Sequence, residues 1–263
     1  APDLDGALGC ASGVAIASTP DRQEALASRC LRFDNIRRYI LEKPLAPDAG
    51  SAKSLLDSML RSGAQFRIGY TLLHAAWYEG LKARLQKKNS IDELSIAWTF
   101  HAHHFMKNIN SWKRSDSCGG GVLKFYGIQV LALLADLGYR RVAASDTAGA
   151  RPGEPEQWRA VFSGDGLPSV RVRVDSRSLN KIFSIRARTG AAEDRLVDLP
   201  DPFEPNDAAG RAALEDRRIP VLRDLCGTFR SDDLPLYRLY GEANALWART
   251  EAATTTCERK YQS

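Results

Sequence analysis

Five residues constrain this chain more than any others. In Val170-Arg171-Val172-Arg173-Val174, apolar and cationic side chains alternate without a break. Period two belongs to a β-strand, where successive side chains point to opposite faces. The valines therefore face a core and the arginines face away from it. Two neighbouring segments, Trp158–Phe162 and Ile182–Arg186, have the same character. Gly164-Asp165-Gly166 and residues 175–180 supply the turns. Three strands joined this way predict an antiparallel meander, which needs another layer to cover its apolar side.

The flanking segments read as helices. Asp21–Leu41 sets Leu26, Leu31, Ile36 and Ile40 against an arginine-rich side, and Ser51–Arg61 ends at Gly63. Phe66–Lys87 is apolar at Phe66, Tyr70, Leu73, Trp77 and Leu81, a helical spacing. Ser90 and Glu93 have the spacing of a capping box before a second helix, whose stripe is Leu94, Trp98, His101, Phe105, Ile109 and Trp112. The short link predicts an antiparallel pair. A third helix runs from Val122 to Leu137 with Gly138 as its stop. Beyond the meander come an irregular crossing at 198–206 and helices at 208–225 and 234–258. No strand–helix–strand alternation stands out. The expected class is α+β and helix-dominant, with a bundle-like N-terminal half, the three-stranded meander and C-terminal helices. Residues 1–263 read as one domain, with 1–144 and 145–263 as its natural subdivision, and are long enough to bury a core unaided.

Composition excludes other classes. With 44% hydrophobic and 26% charged residues the chain is neither disordered nor fibrous. No run of 18 apolar residues offers a membrane-spanning helix. The net charge is +5, and residues 151–190, with eight basic and four acidic side chains, hold +4 of it. The five cysteines fit no zinc spacing. Cys10 with Cys30, and Cys226 with Cys257, fall as terminal pairs that suit two disulfides. Together with the absence of an initial methionine they predict a periplasmic or secreted protein, with the cytoplasm as the alternative.

Three constellations could carry function. His74, His101 and His104 fall on the predicted helix pair and could converge as metal ligands, although no carboxylate at fixed spacing supplies a base. Cys118 precedes Gly119-Gly120-Gly121 and an apolar helix, where a helix N-terminus favours a thiolate. No histidine follows it in the chain to act as its base. Arg159, Arg171, Arg173, Arg186 and Arg188 share the outward face of the meander, and guanidinium groups suit carboxylates and phosphates. No motif identifies a family. The reading that results is a non-catalytic extracytoplasmic binding protein of inhibitor, immunity or accessory type. It would need no cofactor and would meet an acidic protein partner through the arginine face. A hydrolase using Cys118 or a histidine-held metal is the alternative, and nucleic-acid binding through the same arginines is the second.

Overall fold

A computed structural model describes residues 3–87, 91–203, 216 and 218–258. The chain opens with α1 (Leu4–Cys10), β1 (Gly13–Ile16), α2 (Pro20–Cys30), β2 (Arg38–Leu41), α3 (Ala49–Ser62) and β3 (Gln65–Ile68). Strands β1, β2 and β3 pair in parallel in that order, with α2 and α3 as crossovers. This is the strand–helix–strand alternation that had not stood out. Proline in the first turn opens α2, where the missing N–H costs nothing. Asp48 caps α3 by accepting from the Ser51 N–H at 2.9 Å, and Gly63, at φ +69°, ends it as expected. Its buried stripe is Ala52, Leu55, Leu56 and Met59.

The two long helices expected between 66 and 112 do not exist. After β3 the chain makes a 3-10 turn at Thr71–His74 and then a ten-residue helix, α4 (Tyr78–Lys87). Ser90 lies outside the described residues. Glu93–His101 is a strand, β4, followed by the single turn α5 (His103–Met106). Leu94, Ile96 and Trp98 are buried along β4 while the residues between them are partly exposed. The strand period was present at these positions and shares Leu94 and Trp98 with the helical one.

A π-helical turn at Val122–Gly127 leads into α6 (Ile128–Asp136), which is buried from Ile128 through Ala135. Then come β5 (Arg141–Gly149), β6 (Gln157–Ser163), β7 (Ser169–Asp175), β8 (Arg177–Thr189) and β9 (Ala192–Leu199). The chain continues through α7 (Arg218–Gly227) and α8 (Leu234–Ala253) to β10 (Thr254–Glu258). Residues 208–215 of the predicted penultimate helix lie outside the described residues.

The second sheet has seven strands in the order β10-β5-β6-β7-β4-β8-β9. β6 and β7 form the expected hairpin, but β7 and β8 do not meet. Strand β4 lies between them, parallel to β7 and antiparallel to β8. The predicted meander is therefore corrected to a mixed sheet completed by a distant strand. Its apolar side, with Trp158, Phe162, Val170, Val172, Val174 and Phe183, joins α6 and α8 in the core, and its other side carries the arginines. The architecture is a small parallel sheet with crossover helices beside a large mixed sheet, not a helical bundle with a meander.

Candidate active site

In open parallel sheets, ligands bind beyond the carboxyl ends of the strands. Here those ends run into residues 17–19, 42–44 and 69–71. Two buried glutamines fix the second and third of these loops. The Gln23 side-chain amide donates to the carbonyls of Glu42, Pro44 and Leu45 at 2.8, 3.2 and 3.0 Å, and its oxygen accepts from the Glu42 N–H at 2.9 Å. Gln129, on α6, donates to the Gly69 carbonyl and the Thr71 hydroxyl, both at 3.0 Å, and accepts from the Leu72 N–H at 3.4 Å. The first glutamine ties the β2 loop to α2, and the second ties the β3 loop to the helix under the large sheet.

Lys43 stands in the middle loop, half-buried. Its ammonium donates to the Phe125 carbonyl at 2.6 Å and lies 3.8 Å from the centre of the Phe125 ring. Phe125 and Tyr126 belong to the π-helical turn, a local widening that recurs at functional sites. Gly127 makes that turn fit, because a Cβ there would lie 2.8 Å from the Trp158 ring. Burial and the like charge of Lys113 push the Lys43 pKa down to about 8, and Glu42 opposes them. At neutral pH an appreciable fraction of such an amine is unprotonated, so it can both accept and return a proton.

Aromatic side chains wall the space beside Lys43. Phe100 and Tyr126 rings are 4.7 Å apart, Phe125 and Tyr126 also 4.7 Å, and Trp112 and Phe125 5.4 Å. All four are half-buried. The 112–121 segment packs beside the first two of those loops, against Pro20 and Pro47. At Gly120 a Cβ would lie 2.1 Å from the Trp112 carbonyl oxygen, and at Gly119, with φ +80°, 3.0 Å from Pro20 and Pro47. The glycine triplet thus serves close packing. Two cavities, of about 640 and 770 Å³, lie elsewhere, one beside Lys124 and β10 and one between α4 and α6.

The residues singled out from the sequence are dispersed. No group of three His, Cys, Asp or Glu side chains among the described residues could hold a metal. His74 ends the 3-10 turn after β3, with a pKa lowered by burial. His101 ends β4 in register with Arg177. His104 is buried beside Phe105 and Tyr126, and burial, Lys113 and Arg114 press its pKa down to about 4. Cys118 is exposed in a 3-10 turn, three glycines short of the π-helix, and its neighbour is the Ser117 hydroxyl at 4.0 Å. All five cysteines are free, so the disulfides expected for Cys10, Cys30, Cys226 and Cys257 are absent, and the oxidising compartment loses that support.

The arginines do share one sheet face. Arg159 and Arg173 are direct cross-strand partners, and Arg171 and Arg186 flank Ser95. The unforeseen strand β4 brings Glu93 between the rows, where it meets Arg171 at 3.1 Å and Arg188 at 2.7 Å. Arg186 pairs with Glu193, and Arg173 approaches Asp175 at 3.6 Å. Gln23, Lys43, Phe125, Tyr126 and Gln129 were all overlooked. The available signal was the lone cation of Glu42-Lys43-Pro44, set directly after an apolar tripeptide.

No protein-family model matches the sequence, and no curated protein matches it. Solved structures do match in fold. GenD2, from gentamicin A biosynthesis and solved with NAD, superposes with a TM-score of 0.73 at 16% identity, over 96% of this chain and 78% of that one. KijD10, a 3-ketoreductase from Actinomadura kijaniata solved with NADP and TDP-benzene, gives 0.71 at 11% identity, over 98% and 83%. A super-repressor mutant of Gal80p from Saccharomyces cerevisiae gives 0.72 at 10% identity, over 96% and 82%. The fold is the one these solved structures share. This overturns the expected class, and with it the expectation of a non-catalytic extracytoplasmic inhibitor or accessory protein.

Proposed function

We propose that the chain is a nicotinamide-dinucleotide-dependent oxidoreductase acting on a hydroxyl or carbonyl group of a sugar- or polyol-like compound. The observation that carries this reading is Lys43. It is a half-buried amine with a pKa near 8, held at the carboxyl end of a parallel strand and facing an aromatic wall. Fold alone does not carry it, since Gal80p shares the fold and is described as a repressor.

The residues present fit the nicotinamide end of such a cofactor. The crevice offers the half-buried Ser18 and Thr19 beyond β1, the Lys43 loop beyond β2, and the rings of Phe125 and Tyr126. Among the described residues no strand runs through a glycine-rich turn into a helix, the device that cradles a pyrophosphate. Gly119–Gly121 follows a 3-10 turn and is committed to packing. A nicotinamide held in the crevice would supply or accept a hydride. The chain's own part is then acid–base and steric. Unprotonated Lys43 takes the hydroxyl proton of an alcohol, and protonated Lys43 returns it to the oxygen of a carbonyl. The Phe125 carbonyl fixes the amine in place. The rings of Phe100 and Tyr126 exclude water and present flat faces to the C–H surface of a sugar.

The test has two readouts. The protein is titrated with NADH and NADPH, following nicotinamide fluorescence, and then screened with polyols and keto-sugars at 340 nm. Binding of either cofactor, together with turnover that Lys43→Met lowers by about a thousandfold, is the expected result. Binding without turnover on any alcohol or ketone, or a Lys43→Met enzyme of full activity, overturns the reading.

A further inference from the structure

Among the described residues, the buried and half-buried cations are paired with carboxylates, with two exceptions at one place. Lys82 meets Asp136 at 3.0 Å. Lys124 lies between Asp116 and Glu251 at 3.0 and 3.4 Å. Arg114, next in sequence to Lys113, reaches Glu154 through Nε at 2.9 Å and through Nη2 at 2.5 Å. Lys43 and Lys113 are also half-buried, yet among the described residues neither has a carboxylate within salt-bridge distance. Both approach the same ring, with ammonium groups 3.8 and 5.3 Å from the centre of Phe125. A ring face attracts a cation but does not replace a counter-ion.

His104 adds a second, independent sign. It is 6% exposed, and its Nε2 has no hydrogen-bond partner. A buried polar atom left unpaired costs about 1–3 kcal/mol and calls for an explanation. His104 lies against Tyr126, with ring centres 6.4 Å apart, and feels the charge of Lys113. Two ammonium groups without a carboxylate partner and one unpaired imidazole nitrogen therefore lie near the Phe125 and Tyr126 rings.

We infer that the space beside these rings is an anion subsite, and that the substrate is an acidic sugar or polyol whose carboxylate or phosphate is held by Lys113. Lys43 adds its charge whenever it is protonated, and His104 can donate a further hydrogen bond. The inference rests on the crevice being the substrate site, and it deepens the oxidoreductase reading by naming the charge of the substrate. Lysine suits the task, since its ammonium acts as a compact point charge toward either kind of oxyanion.

Equilibrium binding tests it without turnover. Tryptophan fluorescence and calorimetry compare galacturonate with galactose and glucose 6-phosphate with glucose, using the full chain. At least one acidic probe should bind about tenfold or more tightly than its neutral counterpart, as a charge-assisted contact implies. Which of the two shows the preference separates a carboxylate from a phosphate. Lys113→Gln should bring the paired affinities to within about twofold. Lys107→Gln, an equal change of charge at an exposed lysine, should leave the preference intact. Raising salt to about 0.5 M should weaken the acidic probe alone in the wild-type protein, a readout that needs no variant to fold. Equal affinities within both pairs, no binding of any probe, or a preference that survives Lys113→Gln in a folded protein overturns the inference. Turnover of neutral sugars with no acidic preference defeats the subsite and spares the oxidoreductase. An acidic preference lost in Lys113→Gln, without any turnover, does the reverse.

Discussion

Removing the Lys43 amine should change how stability depends on pH. The folded protein holds this pKa near 8, against 10.5 for a free lysine side chain, because burial disfavours the ammonium and Lys113 adds repulsion. A lysine whose folded pKa lies below its unfolded one binds its proton more weakly when folded. The resulting penalty is complete below about pH 8 and fades as pH rises toward 10.5. Integrating the proton difference for these two pKa values gives roughly 2.5 kcal/mol of stability recovered between about pH 7 and pH 10. Other groups titrate in the same window, so the quantity to measure is the wild-type unfolding free energy minus that of Lys43→Met, from urea melts at each pH. Losing the hydrogen bond to the Phe125 carbonyl shifts the variant by an amount that hardly varies with pH and cancels in the trend. The difference should climb by roughly 2.5 kcal/mol in favour of the wild type as pH rises. A difference flat to within about 0.5 kcal/mol would show an amine solvated like any surface lysine, and a proton relay at neutral pH would go with it.

Other expectations follow from packing and pairing. Gly120→Ala puts a Cβ 2.1 Å from the Trp112 carbonyl oxygen and 2.7 Å from the Lys113 carbonyl carbon, both rigid backbone. It should cost about 2–4 kcal/mol in denaturant melts and loosen the segment that carries Lys113. Gly80→Ala, on α4 with open space at its Cβ, should instead stabilise by about 0.5–1 kcal/mol, and a loss at both sites would count against the packing argument. Arg67, fully buried, holds Asp233 at 2.6 Å and the Thr228 hydroxyl and carbonyl, each also at 2.6 Å. Arg67→Met should therefore destabilise by about 2–4 kcal/mol in the same assay, because it leaves Asp233 with the Gln65 amide at 3.0 Å but no cation, and takes both donors from Thr228. Thiol titration of the native protein should count the exposed Cys10, Cys118, Cys226 and Cys257, with buried Cys30 reacting only after unfolding. Finding a disulfide-linked peptide by mass mapping would contradict this.

What could be read in advance divides according to how much local pattern each element carries. The α3 helix was legible because its apolar stripe, its start and its Gly63 stop agree. The β6–β7 hairpin was legible because seven-residue strands are long enough to show alternation. The parallel sheet was not, since each of its strands has four residues and shows at most two periods. In β3 the run is broken outright by Arg67, which tertiary partners bury against every single-residue expectation. The β4 strand failed for another reason. Leu94 and Trp98 fit both a helical and a strand period, and the side chains that discriminate, Ile96 and Phe100, were passed over for His101 and Phe105. That one misassignment displaced the site. With β4 read as a helix, the histidines gathered on an imagined helix pair, and the arginine face lost the Glu93 that partly neutralises it. Lys43 was hidden for a reason no pattern corrects. A lysine after an apolar strand is ordinary until the fold brings Phe125 and Lys113, 82 and 70 positions away, beside it. Its chemistry arises from those long-range contacts, so the reactive property of the site came into view only once the crossover topology was known.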